Sequence, residues 1–304
     1  KRHKCFDGLY GEVAGRSTWN ITSMKNTKEY IKVKDEFLSK EVFSLAIDEA
    51  AEMLLTLPKP KQDRLAFYYD TPNYISHTNK AKGLFSKIYF FSRKVMLSVK
   101  LRMISRLFLK PGLALDVGSG TGVFLNALKK SGWKVKGLEP NKIAKERAQK
   151  TGIDHLISLK KLDGIQQDLI TFWHSLEHVY SLKETIDEVE KTLRPGGVLI
   201  VACPNYTSWD AKYYKKNWAA WDVPRHLRHF SPTSLQLLLG PKGFTQIKKR
   251  PLFLDAFYVS ILSEKSMGHR FSFVRGLVIG LISNLVGCLT NNYSSQVYVL
   301  KKHV

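Results

Sequence analysis

The feature that most constrains the fold is a glycine-rich turn between an apolar run and a helical stretch. It reads Asp116-Val117-Gly118-Ser119-Gly120-Thr121-Gly122, with glycine at every second position. Glycine permits positive φ and lets a backbone approach a ligand with no Cβ in the way. A helix that begins after such a turn directs free N–H groups at polar or negative ligand atoms. The segment therefore predicts an α/β fold with a ligand site at this turn.

Short apolar runs alternate with helical stretches on both sides of the turn. The predicted strands are Leu113–Val117, Lys134–Leu138, Leu169–Trp173, Val198–Ala202 and Val297–Leu300, and the predicted helices are Val123–Lys130, Lys142–Lys150 and Leu182–Leu193. This alternation is typical of βαβ units and of a parallel sheet that is covered on both faces. It indicates a doubly wound, Rossmann-like α/β fold.

The first third of the chain has weaker patterns. Strands are predicted at Tyr30–Val33 and Glu41–Leu45, and Ile47–Leu55 is predicted as a helix from its residue propensities. Apolar residues recur at helical spacing from Gly83 to Leu109, with Lys and Arg between them, which predicts an amphipathic helix that faces the core, or alternatively a helix that binds nucleic acid. We expect three segments: an N-terminal arm (1–64), a helical cap (65–109) and the main domain (110–304).

Composition limits the partners. Lysine and arginine total 48 against 26 acidic residues, a net charge of +22, which favours contact with nucleic acid, a membrane surface or an acidic substrate. The charges are scattered, and a solvated surface is the competing interpretation. The hydrophobic share of 44% excludes a mostly disordered chain. The three cysteines, Cys5, Cys203 and Cys288, form no C-x-x-C pair, so no metal site is predicted.

The spacing of the glycines distinguishes between two families of ligand site. A dinucleotide-binding fingerprint that starts at Gly118 needs glycine at position 123, where Val123 stands. The pattern D-x-G-x-G-x-G from Asp116 instead resembles motif I of the class I S-adenosylmethionine-dependent methyltransferases.

Three later segments extend the resemblance in the order that this family shows. They are Gly137-Leu138-Glu139-Pro140, the run from Asp168 to His178, and Leu193-Arg194-Pro195-Gly196-Gly197. The resemblance implies a seven-stranded, mostly parallel sheet whose last strand is inserted among the others. It also implies S-adenosylmethionine as cofactor, with the ribose hydroxyls on Glu139. The cofactor-binding residues implied are Asp116, Gly118, Ser119, Gly120, Gly122, Glu139, Pro140, Asn141, Asp163, Trp173 and His174.

Histidines are the candidates for catalysis. His174 follows a predicted strand at the edge of the sheet where ligands bind in open α/β folds, so it is the first candidate for a base or an acceptor-positioning group. His178 and His226 are further candidates, and His178 could instead pack or cap its helix. The run H-S-L-E-H lacks the glutamate beside the first histidine of H-E-x-x-H, which excludes a metalloprotease.

The stretch 206–230 is rich in aromatic and basic residues and suits an acceptor pocket, although a lid packed by its own aromatics fits the same pattern. Candidate acceptor-binding residues are Tyr74, His77, Trp221, Asp222, Arg225 and His229. The chain also resembles a bacterial subgroup of methyltransferases with an N-terminal zinc ribbon. Asp48 and Ala51 stand where the second cysteine pair of that ribbon lies, so we expect a degenerate arm without zinc.

These patterns favour methyl transfer to a small-molecule or cell-envelope acceptor, at oxygen rather than nitrogen. The net charge suggests an RNA methyltransferase as the alternative. Enzymes of this family that methylate amino groups of nucleic acids usually carry [DN]-P-P-[YF] after the fourth strand, where it binds the exocyclic amine. Phe172-Trp173-His174-Ser175 stands at that place here. A cofactor-binding module without activity is the second alternative.

The apolar segment 273–289 is long enough to span a membrane. Because a sheet strand is predicted after it, we expect no transmembrane span. A core helix, an interfacial helix or a homodimer surface through 271–289 remain open. The expected location is the cytoplasm, with peripheral membrane contact as an alternative.

Overall fold

The computed structural model describes residues 28–69, 84–149, 152–156, 158–162 and 164–304. The strands are β1 (Lys28–Lys34), β2 (Val42–Asp48), β3 (Met53–Leu57), β4 (Leu113–Val117), β5 (Lys134–Leu138), β6 (Asp154–Leu156), β7 (Gln167–Trp173), β8 (Leu193–Pro204), β9 (Arg228–His229), β10 (Phe244–Pro251) and β11 (Ser295–Lys302). The helices are α1 (Leu65–Tyr69), α2 (Leu84–Ser105), α3 (Val123–Lys130), α4 (Lys142–Gln149), α5 (Leu182–Thr192), α6 (Trp209–Tyr214), α7 (Pro232–Leu239), α8 (Phe253–Ser266) and α9 (Ser272–Thr290).

Seven strands form the main sheet, in the order β10-β11-β8-β7-β4-β5-β6. The five strands from β8 to β6 are parallel, whereas β11 pairs antiparallel with both β8 and β10. The last strand is thus inserted between two earlier ones. The seven-stranded, doubly wound sheet expected from the sequence is confirmed.

Alternate residues of the central strands belong to two separate cores. On β8, Leu199 and Val201 pack in one hydrophobic cluster, and Ile200 and Ala202 pack in the other. Helix α5 covers the first face, and helices α2 and α3 cover the second. Burial on both faces explains why these strands read as continuous apolar runs. It also leaves the strand ends as the place where polar side chains gather.

The predicted helix at Ile47–Leu55 is wrong, because the structure has a β-hairpin there. Strands β2 and β3 pair antiparallel from Ser44↔Leu57 to Asp48↔Met53. The Asp48 carboxylate closes the turn by accepting the N–H groups of Ala50 and Ala51, at 3.1 and 3.3 Å. A local turn bond and cross-strand packing outweigh the helical propensity of the alanine and glutamate residues.

A second sheet joins the N-terminal arm to the main domain. Its order is β1-β2-β3-β9, so the short strand β9, far along the chain, completes a sheet that begins in the arm. Thr56 N–H donates to the Leu227 carbonyl at 3.1 Å, which continues this pairing toward the segment 225–227. The arm therefore supports the segment in which several candidate site residues lie.

Helices α8 and α9 form a hairpin between the two antiparallel strands β10 and β11. Small residues of α9 face α8, and Gly276 and Gly280 come close to the backbone of Ile261 and Phe257. The opposite face of α9 is apolar and exposed, including Val274, Leu281 and Leu285. Within the described part of the chain, α9 alone is long and apolar enough to cross a membrane.

Candidate functional site

The glycine turn lies at the ends of β4 and β5, where the backbone is tightly folded. Gly118 N–H donates to the Leu138 carbonyl at 2.7 Å, and Gly118 has a φ of 79°. A Cβ there would lie 2.4 Å from Cβ of Ser175, so only glycine fits. Beside Gly120, no described atom lies within 4 Å of the Cβ position, and the turn is therefore open to a ligand on that side.

Glu139 ends β5 and faces this turn. Its carboxylate accepts the Gly120 N–H at 2.7 Å and the Asn141 N–H at 2.8 Å. Asn141 in turn accepts the Ala144 N–H at 3.0 Å, at the start of α4. A carboxylate has about four lone-pair sites, so Glu139 keeps capacity for hydroxyl donors of a ligand. Pro140 lies between Glu139 and Asn141, and its ring restricts the backbone just after the end of β5.

Asp116 and Lys100 form an electrostatic pair under the turn. Thr171 Oγ1 donates to the Asp116 carboxylate at 2.6 Å. Burial raises the pKa of Asp116 to about 7, against the opposing effects of the Thr171 hydrogen bond and the Lys100 charge. Burial lowers the pKa of Lys100 to about 8, against the effects of Asp116 and Asp255. The Lys100 ammonium also lies 4.1 Å from the centroid of the Trp173 ring.

A histidine supports the glycine turn from below. His155 Nε2 lies 3.1 Å from the Ser119 hydroxyl, and His155 Nδ1 lies 3.1 Å from the Ile153 carbonyl. A Cβ on Gly137 would lie 2.8 Å from His155 Nε2, so that glycine permits the contact. Ser119 is thereby fixed from the protein side, and Gly122 completes the turn at the start of α3.

His174 follows β7 and pairs with a carboxylate from α8. Its Nε2 lies 3.0 Å from the Asp255 carboxylate, and its Nδ1 lies 3.5 Å from Glu177. Burial alone would lower the pKa of His174, but Asp255 and Glu177 raise it to about 10. The backbone of His174 is held at a φ of 52°, which is unusual outside glycine.

His178 and His226 lie face to edge, with ring centroids 4.6 Å apart. His178 Nδ1 contacts the Arg225 carbonyl at 3.0 Å and the Tyr69 hydroxyl at 2.9 Å. His226 is buried, its Nδ1 contacts the Ala220 carbonyl at 2.9 Å, and burial holds its pKa well below the usual value. All three candidate catalytic histidines thus lie near the Glu177 carboxylate.

The predicted acceptor-binding residues of the segment 206–230 lie inside the protein. Arg225 is fully buried and donates to Asp35 at 2.9 Å and to Asp222 at 2.8 Å. Trp221 is buried and donates to the Lys215 carbonyl. His229 contacts the Thr56 hydroxyl at 3.1 Å. These contacts give Trp221, Asp222, Arg225 and His229 a structural role, in line with the packed lid that was the alternative for this stretch.

Three predicted site residues, Tyr74, His77 and Asp163, lie outside the described residues. Four residues of the site went unpredicted as functional groups: Lys100, His155, Glu177 and Asp255. Lys100 and Asp255 lie on helices away from any motif, and only the fold brings them to the strand ends. The one sequence signal for a role of Glu177 is its position between the candidate histidines His174 and His178.

Comparison with known proteins gives one family match. A family model described as a methyltransferase domain matches residues 92–249. No curated protein matches the chain.

Solved structures share the fold. The chain is similar to magnesium protoporphyrin IX methyltransferase from Synechocystis PCC 6803 with bound S-adenosylhomocysteine, at 14% identity and a TM-score of 0.53, over 80% of this chain and 100% of that one. It is also similar to an S-adenosylmethionine-dependent methyltransferase from Archaeoglobus fulgidus, at 20% identity and a TM-score of 0.47, over 71% of this chain and 99% of that one.

Proposed function

We infer the function from the premise that the chain belongs to the methyltransferase domain family and is an S-adenosylmethionine-dependent methyltransferase. Our proposal concerns the acceptor: a small-molecule or cell-envelope compound that is methylated at oxygen. The proposed segments are the arm (1–64), the helical cap (65–109) and the catalytic domain (110–304). The shared sheet of β3 and β9 supports an arm that is packed on the catalytic domain.

The residues at the strand ends fit the cofactor. The open side of Gly120 admits a ligand against the backbone, and Glu139 can accept hydrogen bonds from the two ribose hydroxyls. Asp116 and Lys100 offer one acceptor and one cationic donor, which match the ammonium and carboxylate of the methionine part. The buried indole N–H of Trp173 has no hydrogen-bond acceptor among the described residues and is available to a ligand. When bound, the cofactor supplies an electrophilic methyl group on a sulfonium.

The proposal of an oxygen acceptor rests on the ion pair of His174 and Asp255 at the end of β7. The carboxylates of Asp255 and Glu177 raise the pKa of His174 to about 10, so the ring is protonated at neutral pH and can hold an acceptor hydroxyl in line rather than take its proton. Because Asp255 lies 3.0 Å from Nε2, it fixes the orientation of the ring. Of the two roles expected from the sequence, base or acceptor-positioning group, we therefore propose the positioning role for His174.

The described arginines of the 206–230 segment give little support to an RNA acceptor. Arg225 and Arg228 are buried and donate to protein carbonyls and carboxylates, so neither offers its charge to a phosphate. Burial also lowers the pKa of Arg228, to about 10. The exposed lysines of this segment are Lys212, Lys215 and Lys216.

Label transfer tests the acceptor class. The protein is incubated with methyl-labelled S-adenosylmethionine and with separate small-molecule, lipid and RNA fractions of the source organism. We expect label in the small-molecule or lipid fraction, in a product whose methyl group is bound to oxygen by mass spectrometry. Label in ribonuclease-sensitive material would contradict the proposal. Cofactor binding without any transfer would instead support a module that has lost its activity.

The exposed face of α9 suggests where the protein works. We propose that this face lies on an anionic membrane surface, as a peripheral contact of a cytoplasmic enzyme. Lys265 in the last turn of α8 and Arg270 just before α9 are exposed, and the net charge of +22 attracts anionic lipid but repels a second copy. The exposed apolar side chains are Phe271, Phe273, Val274, Leu277, Val278, Leu281, Ile282, Leu285 and Leu289.

Vesicle flotation tests this contact. The protein should float with vesicles that contain phosphatidylserine, and Leu281→Glu should reduce the bound fraction at least about 10-fold. A dimer in solution that Leu281→Glu dissociates, with no flotation, would show that a second copy covers the face.

A further inference from the structure

Three side chains beside His174 form a cluster of hydrogen-bond acceptors. Glu177, His178 and His226 each offer one ligand atom, and these atoms lie within 4.8 Å of one another. Glu177 and His178 belong to one helical turn, at Leu176–His178, while His226 comes from the segment that the arm supports. The Leu227 N–H donates to the Glu177 carbonyl at 2.9 Å and holds the two segments together.

The orientation of the two imidazoles leaves Nε2 of each ring as the acceptor. A carbonyl oxygen can only accept, so the Nδ1 that contacts it carries the proton. This is the case for His226 against the Ala220 carbonyl and for His178 against the Arg225 carbonyl. A metal-bound histidine usually donates its other N–H to a backbone carbonyl in this way.

Glu177 supplies the observation that points to a ligand. Its side chain is 1% exposed, and neither carboxylate oxygen has a hydrogen bond among the described residues. Its ion-pair partner is the His174 ring, whose Nδ1 lies 3.5 Å from one of its oxygens. The oxygens keep lone pairs free for a cation, and buried charges that persist are paired or bind metals.

We propose that Glu177, His178 and His226 bind one divalent transition-metal ion of the zinc class. Two imidazole nitrogens and one carboxylate form a known catalytic ligand set, which leaves a coordination position open. Ligands at about 2.0–2.1 Å from a tetrahedral ion are about 3.3 Å apart, and the three atoms lie within 4.8 Å of one another, so only small side-chain shifts are needed to bind an ion.

The open position would take an oxygen of the methyl acceptor. This second step rests on the proposed function, because it assumes that the acceptor lies beside His174. A cation bound by Glu177, His178 and His226 would hold a hydroxyl or carboxylate oxygen of the acceptor next to His174. Metal binding itself needs neither cofactor nor acceptor, and it is therefore tested without them.

The test uses the full chain after removal of metal by a chelator, with Zn²⁺ or Co²⁺ added back. The wild-type protein should retain one ion per chain after dialysis, and Co²⁺ should give visible absorption bands of a tetrahedral or five-coordinate site. At 100-fold excess of free Zn²⁺ over Kd, the unfolding temperature should rise by about 5 °C.

Glu177→Gln keeps the shape of the side chain and removes the charge. We expect it to weaken metal binding at least about 100-fold and to abolish the shift of the unfolding temperature. The variant also loses the ion pair with His174, so its unfolding temperature with metal is compared with its own metal-free value. His226→Gln is the second ligand variant if Glu177→Gln does not fold.

His303→Gln is the matched control for adventitious binding, because His303 lies at the other end of the sheet beside Thr245. It should keep the bound ion and the temperature shift. The proposal is overturned if the wild type retains no metal, or if both ligand variants bind metal as tightly as the wild type does. Intact metal binding with no methyl transfer would leave the site standing and count only against the proposed function.

Discussion

The buried ion pair between Asp35 in the arm and Arg225 in the segment 206–230 holds these two parts of the chain together. Asp35 and Arg225 are both fully buried, and their atoms lie 2.9 Å apart. Asp35→Asn leaves the guanidinium with Asp222 as its remaining carboxylate partner, at 2.8 Å. Breaking a buried pair costs about 3–5 kcal/mol, and because Asp222 remains we expect the lower end, about 3 kcal/mol.

Equilibrium unfolding in urea measures this loss at pH 7. Glu36→Gln is the matched control. Glu36 is the next residue in the sequence, and its carboxylate pairs with Lys34 and Lys40 on the surface. The control should change the free energy of unfolding by less than about 1 kcal/mol. Equal losses for the two variants would refute the reasoning that burial makes the Asp35 pair important.

The pH dependence of the same pair has a definite sign. Burial alone would raise the pKa of Asp35, but hydrogen bonds from Arg225 and Ser39 hold it below the usual 3.8. A carboxyl with a depressed pKa stabilises the folded state above the unfolded pKa and loses this effect as pH falls through the folded pKa. The difference between wild type and Asp35→Asn should therefore be full at pH 5 to 7 and shrink below about pH 3.8. A difference that is constant down to pH 2.5 would contradict this assignment.

Three more predictions concern the site. Glu139→Gln should weaken S-adenosylmethionine binding about 10- to 100-fold by calorimetry, because a charged acceptor of hydroxyl donors is lost; unchanged affinity would exclude its ribose role. Gly118→Ala should lower the free energy of unfolding by about 1–3 kcal/mol, since the backbone is at positive φ and the new Cβ meets Ser175. His174→Gln should reduce turnover of the labelled acceptor fraction about 100-fold or more at unchanged cofactor affinity, because the acceptor is no longer held in line; a normal rate would exclude the positioning role.

The parallel sheet was predictable from the sequence because its signals are local. Each central strand is a short apolar run bounded by turn residues, and the glycines at 118, 120 and 122 mark one strand end. The predicted bounds of Leu113–Val117, Val123–Lys130 and Lys134–Leu138 agree with β4, α3 and β5. The cofactor family followed from the same segment.

The neighbours of the candidate catalytic histidines could not be predicted, since they depend on long-range packing. Asp255 reaches His174 only because α8 crosses the sheet end between two antiparallel strands. Arg225 resembled an anion-binding residue in the sequence, but the arm supplies Asp35 as its partner, 190 residues away. The hairpin at 42–57 was missed for the same reason, since strand pairing outweighs local propensity.

Titration of the full chain with S-adenosylmethionine by calorimetry tests the central claim most directly. One cofactor per chain should bind saturably; Glu139→Gln should weaken this binding, and Glu36→Gln should leave it unchanged. No detectable heat of binding at millimolar cofactor, with the protein folded, would contradict it.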